Sequence, residues 1–408
     1  MPETPSETNF GTKPEDSAEV MLDAPLGPVS AVVHTQDAAE ALKLTRRRAD
    51  IDARQEKLGR ILEEMGCEGV VLLVPAHVNW FTGGLNLRGL MAESERPGLY
   101  TNGRQRWLLC SSTDTQRLFD EELDGLGFQV KEWQWSTGRA TLLAELVAGK
   151  KFAVDRPFPN LPQIGERLRL DLRSLTHFEM DEYRKLGKVV AHAIEATART
   201  LVHGQTEEEV AGQLAHRLYH RGVEAMAVSV TADDRGAKYR RSGYSRETVG
   251  QLCTIQATGQ KNGLYCTASR TVSFGPAPAD YRAAYDMACK LTAVFRSMSV
   301  PNETIASTAE TVKKLLSNTP WEFDLRASQP GFGAGRFAAE EFRRAGVDEK
   351  FALGWALTWQ PRLGAAALVD TVLVGEAGAI AVTPPEAWPF KKITIKNQTH
   401  EVPDIFVR

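Results

Sequence analysis

Cysteine and long apolar runs are scarce in this sequence, and each shortage excludes a class of protein. The 408-residue chain has five cysteines and no CxxC pair, which argues against a disulfide framework and a structural zinc site. No apolar run reaches the ~18 residues of a membrane-spanning helix, and the N-terminus lacks the basic and apolar segments of a secretory signal. The formal net charge is −3, so no basic excess indicates nucleic-acid binding. We therefore expect a cytoplasmic protein without nucleic-acid or membrane partners.

The pattern of apolar residues predicts two folded domains between less regular ends. A helix over Leu42–Met65 and a buried strand over Val70–Val74 begin a small α/β domain, in which short strands alternate with helices. The second domain combines strands rich in Val and Thr with long helices, which is typical of an α+β fold, and Asp370–Val374 is its last predicted strand. The predicted segments are a flexible leader (1–40), the α/β domain (41–175), the α+β domain (176–385) and a C-terminal tail (386–408).

Five short segments follow one another in an order that is more specific than any one of them. They are His77–Gly84, Gln256–Gly275, Gly331–Gly335, Trp359–Pro361 and Leu368–Val374. In these segments the chain resembles the creatinase/aminopeptidase P family, which is metallopeptidase family M24. The resemblance implies an α+β pita-bread C-terminal domain and a smaller α/β creatinase-like N-terminal domain.

The resemblance also implies where a metal site would lie. Metal-using members have two aspartates, a histidine and two glutamates at positions that this chain fills with uncharged side chains. Paired divalent ions need bridging carboxylates, and magnesium and first-row metals prefer carboxylate, imidazole or thiolate ligands. We therefore predict no metal and no other cofactor. The five matched positions are Gln256, Thr267, Phe332, Gln360 and Val369.

Creatinase, a metal-free member of the family, offers a second comparison. The chain resembles it at Gly263–Tyr265 and at Arg270–Thr271. However, Ser269 stands where the creatinase pattern has a glutamate, and Tyr239 stands where it has the catalytic histidine. The resemblance therefore does not imply creatinase activity.

Strand alternation predicts the side chains around the matched positions. Residues two apart on a strand point to the same face, so Tyr265 and Ser269 accompany Thr267, and Thr258 accompanies Gln256. Hydroxyl and amide groups would then line a pocket for a small molecule; a half-buried sheet face wetted by solvent is the alternative. The predicted catalytic residues are Tyr239, Gln256, Thr267, Ser269 and Gln360.

Arginines flank the matched segments and indicate an anionic ligand, because the guanidinium fork suits carboxylate and phosphate. A structural ion pair is the alternative for Arg270. Trp359 could stack on a ligand, although its place on the strand face opposite Gln360 is also typical of a core residue. His77 is included because the N-terminal domain reaches the neighbour's site in dimers of the family. The predicted substrate-binding residues are Tyr265, Thr258, Arg270, Phe332, Arg336, Trp359, Arg362 and His77.

Three functions remain open at this point. The first is a metal-independent hydrolase or lyase that acts on a C–N bond of a small polar or anionic molecule through hydrogen-bond stabilisation. The second is a non-catalytic relative that binds a ligand or a protein. The third, an Xaa-Pro aminopeptidase-type metallopeptidase, requires that the matched positions be misaligned. A small-molecule ligand and a homodimer are the partners that the resemblance implies.

Overall fold

The structure is a computed structural model that describes residues 29–87, 92–327, 329–341 and 348–408. The chain divides into two units at Leu44, and in the first unit the structure describes the beginning of α1 (Val29–Met65). Residues 1–28 of the predicted leader lie outside the described residues. The helix begins before the predicted Leu42 because residues 29–41 contain no proline or glycine and include four alanines, the strongest helix former.

Residues 45–175, which we call the N-terminal domain, contain a mixed five-stranded sheet. Its strands are β1 (Gly69–Leu72), β2 (Gly98–Thr101), β3 (Arg106–Ser111), β4 (Gln129–Trp133) and β5 (Phe152–Val154). Its further helices are α2 (Pro75–Thr82), α3 (Thr115–Leu118), α4 (Arg139–Val147) and α5 (Gly165–Arg173). The strand order is β4-β3-β2-β1-β5, with β1–β5 and β3–β4 parallel and the other pairs antiparallel. This is the predicted small α/β domain.

The C-terminal domain begins at α6 and places long helices outside two antiparallel sheets. Its helices are α6 (His177–Thr200), α7 (Glu207–His220), α8 (Arg235–Lys238), α9 (Ala279–Met298), α10 (Ile305–Leu316) and α11 (Asp324–Ala327). Its first strands are β6 (Glu224–Ala232), β7 (Leu252–Lys261) and β8 (Leu264–Ser273). The next are β9 (Gly331–Gly333), β10 (Glu340–Glu341), β11 (Ala356–Trp359), β12 (Arg362–Leu363), β13 (Ala366–Ala367), β14 (Asp370–Leu373) and β15 (Ile380–Ala381). The α+β fold class is confirmed.

Two of the long helices, α6 and α7, begin at side-chain caps that the sequence supplies. Thr206 accepts a hydrogen bond from the Glu209 amide while the Glu209 carboxylate accepts one from Thr206, so each satisfies an amide that the first turn leaves open. Thr176 and Glu179 form the same arrangement at the start of α6. These caps fix where both helices enter the domain.

The segment after residue 385 is not the irregular tail that the sequence predicts. It forms β16 (Phe390–Ile395), β17 (Gln398–Pro403) and β18 (Phe406–Val407), and β18 pairs in parallel with β8. Exposed and half-buried positions alternate along β16, as expected for a strand with one face against the protein. Lys396 and Asn397 have φ angles of 48° and 66°, which suit a tight hairpin turn.

The sheet order β18-β8-β7-β6 places the β7–β8 hairpin inside one sheet, and the order β10-β9-β11-β14-β15 defines the other. Helices α6 and α7 cover the apolar face of the hairpin sheet, where Val190, Leu214, Ile255 and Ala268 share one core. The opposite face of the hairpin meets the second sheet, and the four matched segments of the C-terminal domain lie in these two sheets or beside them.

Candidate functional site

The β7–β8 hairpin has one polar face and one apolar face. Gln256 pairs with Ser269, and Thr258 pairs with Thr267, so these four side chains point to one side, as predicted from strand alternation. The same parity places Tyr265 on this side, near the hairpin tip. The opposite side carries apolar residues of the core, among them Ile255, Ala257, Cys266 and Ala268.

Hydroxyl groups in the middle of the polar face bind one another and not solvent. The Thr371 hydroxyl donates to the Thr267 carbonyl at 2.7 Å and lies 2.8 Å from the Thr358 hydroxyl. The Thr267 hydroxyl lies 2.9 Å from that of Thr258. Thr267, Thr358 and Thr371 are at most 1% exposed. We call these four threonines the hydroxyl cluster; within the described part of the chain, their hydroxyl groups are bonded to other groups of the protein.

Ser269 is also engaged within the protein. Its hydroxyl accepts a hydrogen bond from the Val369 amide at 2.7 Å, and its own amide donates to the Val369 carbonyl at 3.0 Å. Ser269 is 2% exposed, so a substrate cannot reach its hydroxyl without separating these strands. Because this hydroxyl accepts from Val369, its own hydrogen stays available for the predicted hydrogen-bonding role, and burial is what separates it from a substrate.

The five matched positions do not fit a pair of divalent metal ions. Thr267 lies in the hydroxyl cluster, Val369 contacts Ser269, and Phe332 pairs with Thr358 in the second sheet. Gln360 donates through its amide to the Gln329 carbonyl at 3.0 Å. With Gln256, the set supplies two amides, one hydroxyl and two hydrocarbons, and none of these offsets a cation's charge. Among the described residues, no three His, Cys, Asp or Glu side chains group closely enough to hold a metal.

Arg362 is the one predicted arginine that reaches the polar face. Its guanidinium donates to the Gln256 side-chain oxygen at 3.2 Å, and no carboxylate of the described residues lies within ion-pair distance. Burial, with a smaller contribution from the positive charge of Arg240, lowers the pKa of Arg362. The adjacent cavity measures about 10 Å³, which is at the lower limit for one water molecule, ~10–15 Å³.

Three other predicted binding residues point elsewhere. Arg270 lies on the apolar side of β8, is fully buried and pairs with Glu195 at 3.0 Å, which is the alternative considered from the sequence. Arg336 is buried in an ion pair with Glu179. Trp359 stacks on Phe295 with ring centroids 4.4 Å apart, on the strand face opposite the site. Their binding roles are not supported by these positions, because each side chain is already used in packing.

Tyr239 and His77 have no contact with the hydroxyl cluster in the described structure. Tyr239 follows α8, is 53% exposed and lies beneath the Arg235 guanidinium. His77 lies in the N-terminal domain, where its Nδ1 is 2.9 Å from Asp155 Oδ2. The role predicted for His77 requires a partner subunit and stays a prediction.

The hairpin tip contacts α2 at a position outside the predicted site residues. Asn262 and Gly263 have φ angles of 51° and 70°, the left-handed values of a type I′ turn. A side chain at Gly263 would lie 2.5 Å from the Asn79 side chain, and one at Gly84 would lie 2.5 Å from the Asn262 carbonyl. The Asn-Gly dipeptide between two strand patterns is the signal that could have located this tip.

Comparisons with known proteins agree with this architecture. Residues 181–376 match the sequence profile of metallopeptidase family M24. No curated protein sequence matches the chain. None of the helices in the described part of the chain is both long and apolar enough to cross a membrane.

Solved structures share the fold over most of the chain at low sequence identity. The dipeptidase PepE from Mycobacterium ulcerans is 19% identical with a TM-score of 0.68, over 88% of this chain and 99% of that one. The X-Pro aminopeptidase from Thermotoga maritima is 16% identical with a TM-score of 0.69, over 87% and 99%. The N-terminal domain of the FACT complex subunit SPT16 from chickpea is 11% identical with a TM-score of 0.59, over 85% and 96%. The profile match over residues 181–376 and the shared fold together support an M24-like, pita-bread architecture for this part of the chain.

Proposed function

We propose that this protein is a ligand-binding member of family M24 that does not hydrolyse peptide bonds at a two-metal centre. The observation that carries the proposal is the hydroxyl cluster, in which Thr267 and its neighbours are buried and bonded to one another. A metal centre needs charged ligands that converge on open space. Neutral side chains already bonded to each other provide neither charge nor space.

The absence of an activated nucleophile in the same region supports the proposal. A catalytic hydroxyl needs an adjacent general base within about 2.6–3.2 Å. Among the described residues, the groups that contact the Ser269 and Thr267 hydroxyls are backbone amides and other hydroxyls. A hydroxyl cannot take a proton from another hydroxyl at neutral pH in any useful amount, so neither side chain is a favourable nucleophile.

The structural neighbours are consistent with more than one use of this fold. Two of them are named as a dipeptidase and an aminopeptidase, and a third is a subunit of a complex. Their names describe those proteins only. For this chain, the residues at the site decide between the uses.

A metal-independent hydrolase for a C–N bond is the second candidate, and Arg362 favours it. This guanidinium is partly buried, donates to Gln256 and has no described carboxylate partner. Its positive charge could stabilise an anionic substrate or a developing oxyanion. The cavity beside it is too small for such a substrate as it stands, so catalysis would require the surrounding strands to separate.

The first experiment measures metal content and turnover on the same preparation. The full-length protein is purified without chelator, offered manganese, iron, cobalt and zinc, and analysed by inductively coupled plasma mass spectrometry. The same sample is assayed on Xaa-Pro dipeptides and on small amides, ureas and guanidino compounds. We expect well below one ion per chain and no turnover above the background of a mock purification.

Two other outcomes would contradict the proposal in different ways. One or two ions per chain together with dipeptide cleavage would restore the metallopeptidase. Turnover without metal would establish the second candidate, and Arg362→Gln should then abolish it while Arg241→Gln, at an exposed position on the segment before β7, should not.

A further inference from the structure

Helix α7 carries two histidines one turn apart on its exposed side. His216 and His220 are four positions apart in the chain, so both side chains lie on the same face of the helix. The centroids of their imidazole rings are 6.2 Å apart, and the ring planes meet at 23°. Two nearly parallel imidazoles therefore face solvent side by side, close to the C-terminal end of α7.

Neither imidazole of this pair is used by the rest of the protein. His77, by comparison, binds the buried Asp155 carboxylate through its Nδ1. Within the described part of the chain, no hydrogen bond or ion pair involves the ring of His216 or that of His220, and both residues are exposed. The ring nitrogens of the pair are therefore available to a ligand from solution.

The backbone beneath the pair is held firmly in the fold. On the opposite side of α7, Val210, Leu214 and Leu218 are fully buried in the core of the C-terminal domain. The Leu218 carbonyl accepts hydrogen bonds from the Arg221 amide at 3.0 Å and the Val223 amide at 3.1 Å, which fix the last turn. A ligand that binds side chains on a fixed backbone loses less conformational entropy than one that must order the chain.

The charges around the pair permit a cation. The C-terminus of a helix carries a partial negative charge, and His220 is the last residue of α7. The Arg217 guanidinium is engaged by the Gln213 carbonyl at 3.3 Å and the Thr200 hydroxyl at 3.0 Å. Arg221 is exposed, so water and salt screen the repulsion between its charge and a bound cation. These charges are consistent with a cation that binds with moderate affinity.

The type and number of ligands indicate which cations fit. Two histidines at this spacing on one helix face are a known metal-binding arrangement, and imidazole suits copper, nickel and zinc, whereas magnesium and calcium prefer oxygen ligands. For a given set of ligands, affinity rises from manganese through nickel to copper and falls again at zinc. Among the described residues, no third His, Cys, Asp or Glu side chain joins the pair. Exposed side chains change rotamer within nanoseconds, so both rings can turn toward one ion.

We propose that His216 and His220 chelate one Cu²⁺ ion on the surface of α7, and bind Ni²⁺ more weakly. One nitrogen of each imidazole binds the ion, and water occupies the other coordination positions. Catalytic and structural sites hold a metal with three or four protein ligands; with two, the ion exchanges with solution and is lost when free metal is removed. The inference goes beyond the proposed function and does not depend on it.

Isothermal titration calorimetry of the tag-free, full-length protein with Cu²⁺ and with Ni²⁺ tests this assignment. Nickel is included because it does not oxidise thiols such as that of the half-buried Cys67. We expect saturable binding of one Cu²⁺ per chain. His216→Ala and His220→Ala should each weaken it by at least about 10-fold, because the loss of an outer-shell group alone costs 10- to 100-fold. The electron paramagnetic resonance spectrum of bound Cu²⁺ should show splitting by nitrogen ligands, and each variant should reduce it.

The matched control is His177→Ala, which removes an exposed histidine at the start of α6 and should leave Cu²⁺ binding unchanged. Alanine is a strong helix former, so we expect the variants in α7 to fold, and circular dichroism checks this. The absence of saturable Cu²⁺ binding, or binding that both variants leave unchanged, would overturn the proposal. Both variants keep the five matched positions intact, so this proposal and the proposed function can fail separately.

Discussion

Replacing Thr371 by valine tests whether the hydroxyl cluster is closed. The two side chains have nearly the same shape, so the change removes one hydroxyl group and adds a methyl group at a position that is fully buried. The Thr371 hydroxyl donates to the Thr267 carbonyl at 2.7 Å, accepts from the Thr267 amide at 3.3 Å and lies 2.8 Å from the Thr358 hydroxyl. The substitution therefore removes hydrogen bonds without changing the packing.

The expected loss of stability follows from the groups left without a partner. The Thr267 carbonyl and the Thr358 hydroxyl each lose a short hydrogen bond in a buried region, at about 1–3 kcal/mol per group. Burial of the added methyl group offsets about 0.8 kcal/mol. We expect Thr371→Val to lower the free energy of unfolding of the C-terminal domain by about 2–4 kcal/mol.

Urea denaturation followed by circular dichroism measures this difference as a shift of the midpoint at unchanged slope. The control is Thr394→Val, because the Thr394 hydroxyl lies 2.9 Å from that of Thr399 on the exposed β16–β17 hairpin. That variant should change stability by less than about 0.5 kcal/mol. An equally small effect for Thr371→Val would refute the reasoning, since it would mean that water reaches the cluster and that the site is open.

Two further predictions concern charge and backbone. Burial acts to raise the pKa of Glu179, but the charges of Arg336 and Arg54 outweigh it and lower the pKa. A carboxyl group with a lowered pKa stabilises the fold only while it is ionised. The stabilisation lost in Glu179→Gln should therefore be constant above about pH 5 and shrink as the pH falls below about 4. Urea denaturation between pH 3 and pH 7 measures it, and a difference that grows on acidification would contradict the assigned direction. Gly263→Ala should lower the free energy of unfolding by at least about 1 kcal/mol more than Gly243→Ala does. Both glycines have positive φ, but only a Cβ at Gly263 meets another residue. Equal unfolding midpoints of the two variants in urea would contradict the contact at the hairpin tip.

Much of the fold could be predicted from local signals. Helix α7 begins and ends at local signals, because Thr206 and the three acidic residues that follow it define the start and Gly222 follows the end. The strand at residue 70 was also located, with its end placed two residues late. The failures lie at the termini, where lysines in the last strands resemble a solvated tail although Phe406 and Val407 pair with the main sheet.

The candidate site was only partly predictable, for a physical reason. Strand parity correctly placed Gln256, Thr258, Thr267 and Ser269 on one face, because alternation depends on the backbone alone. Whether that face is open depends on what packs against it, and that contact joins Thr267 to Thr371, which is 104 residues away. A single sequence carries no direct signal for such a pairing.

The neutral side chains of the polar face follow from one physical constraint. Acidic ligands around two metal ions repel each other when the ions are lost, so a scaffold that no longer binds metal is more stable with neutral groups that bond to one another. Thr258, Thr267, Thr358 and Thr371 meet this requirement in the middle of the face and close it. The proposed binding function is therefore compatible with neutral side chains at the five matched positions, and the measurement of metal content tests it directly.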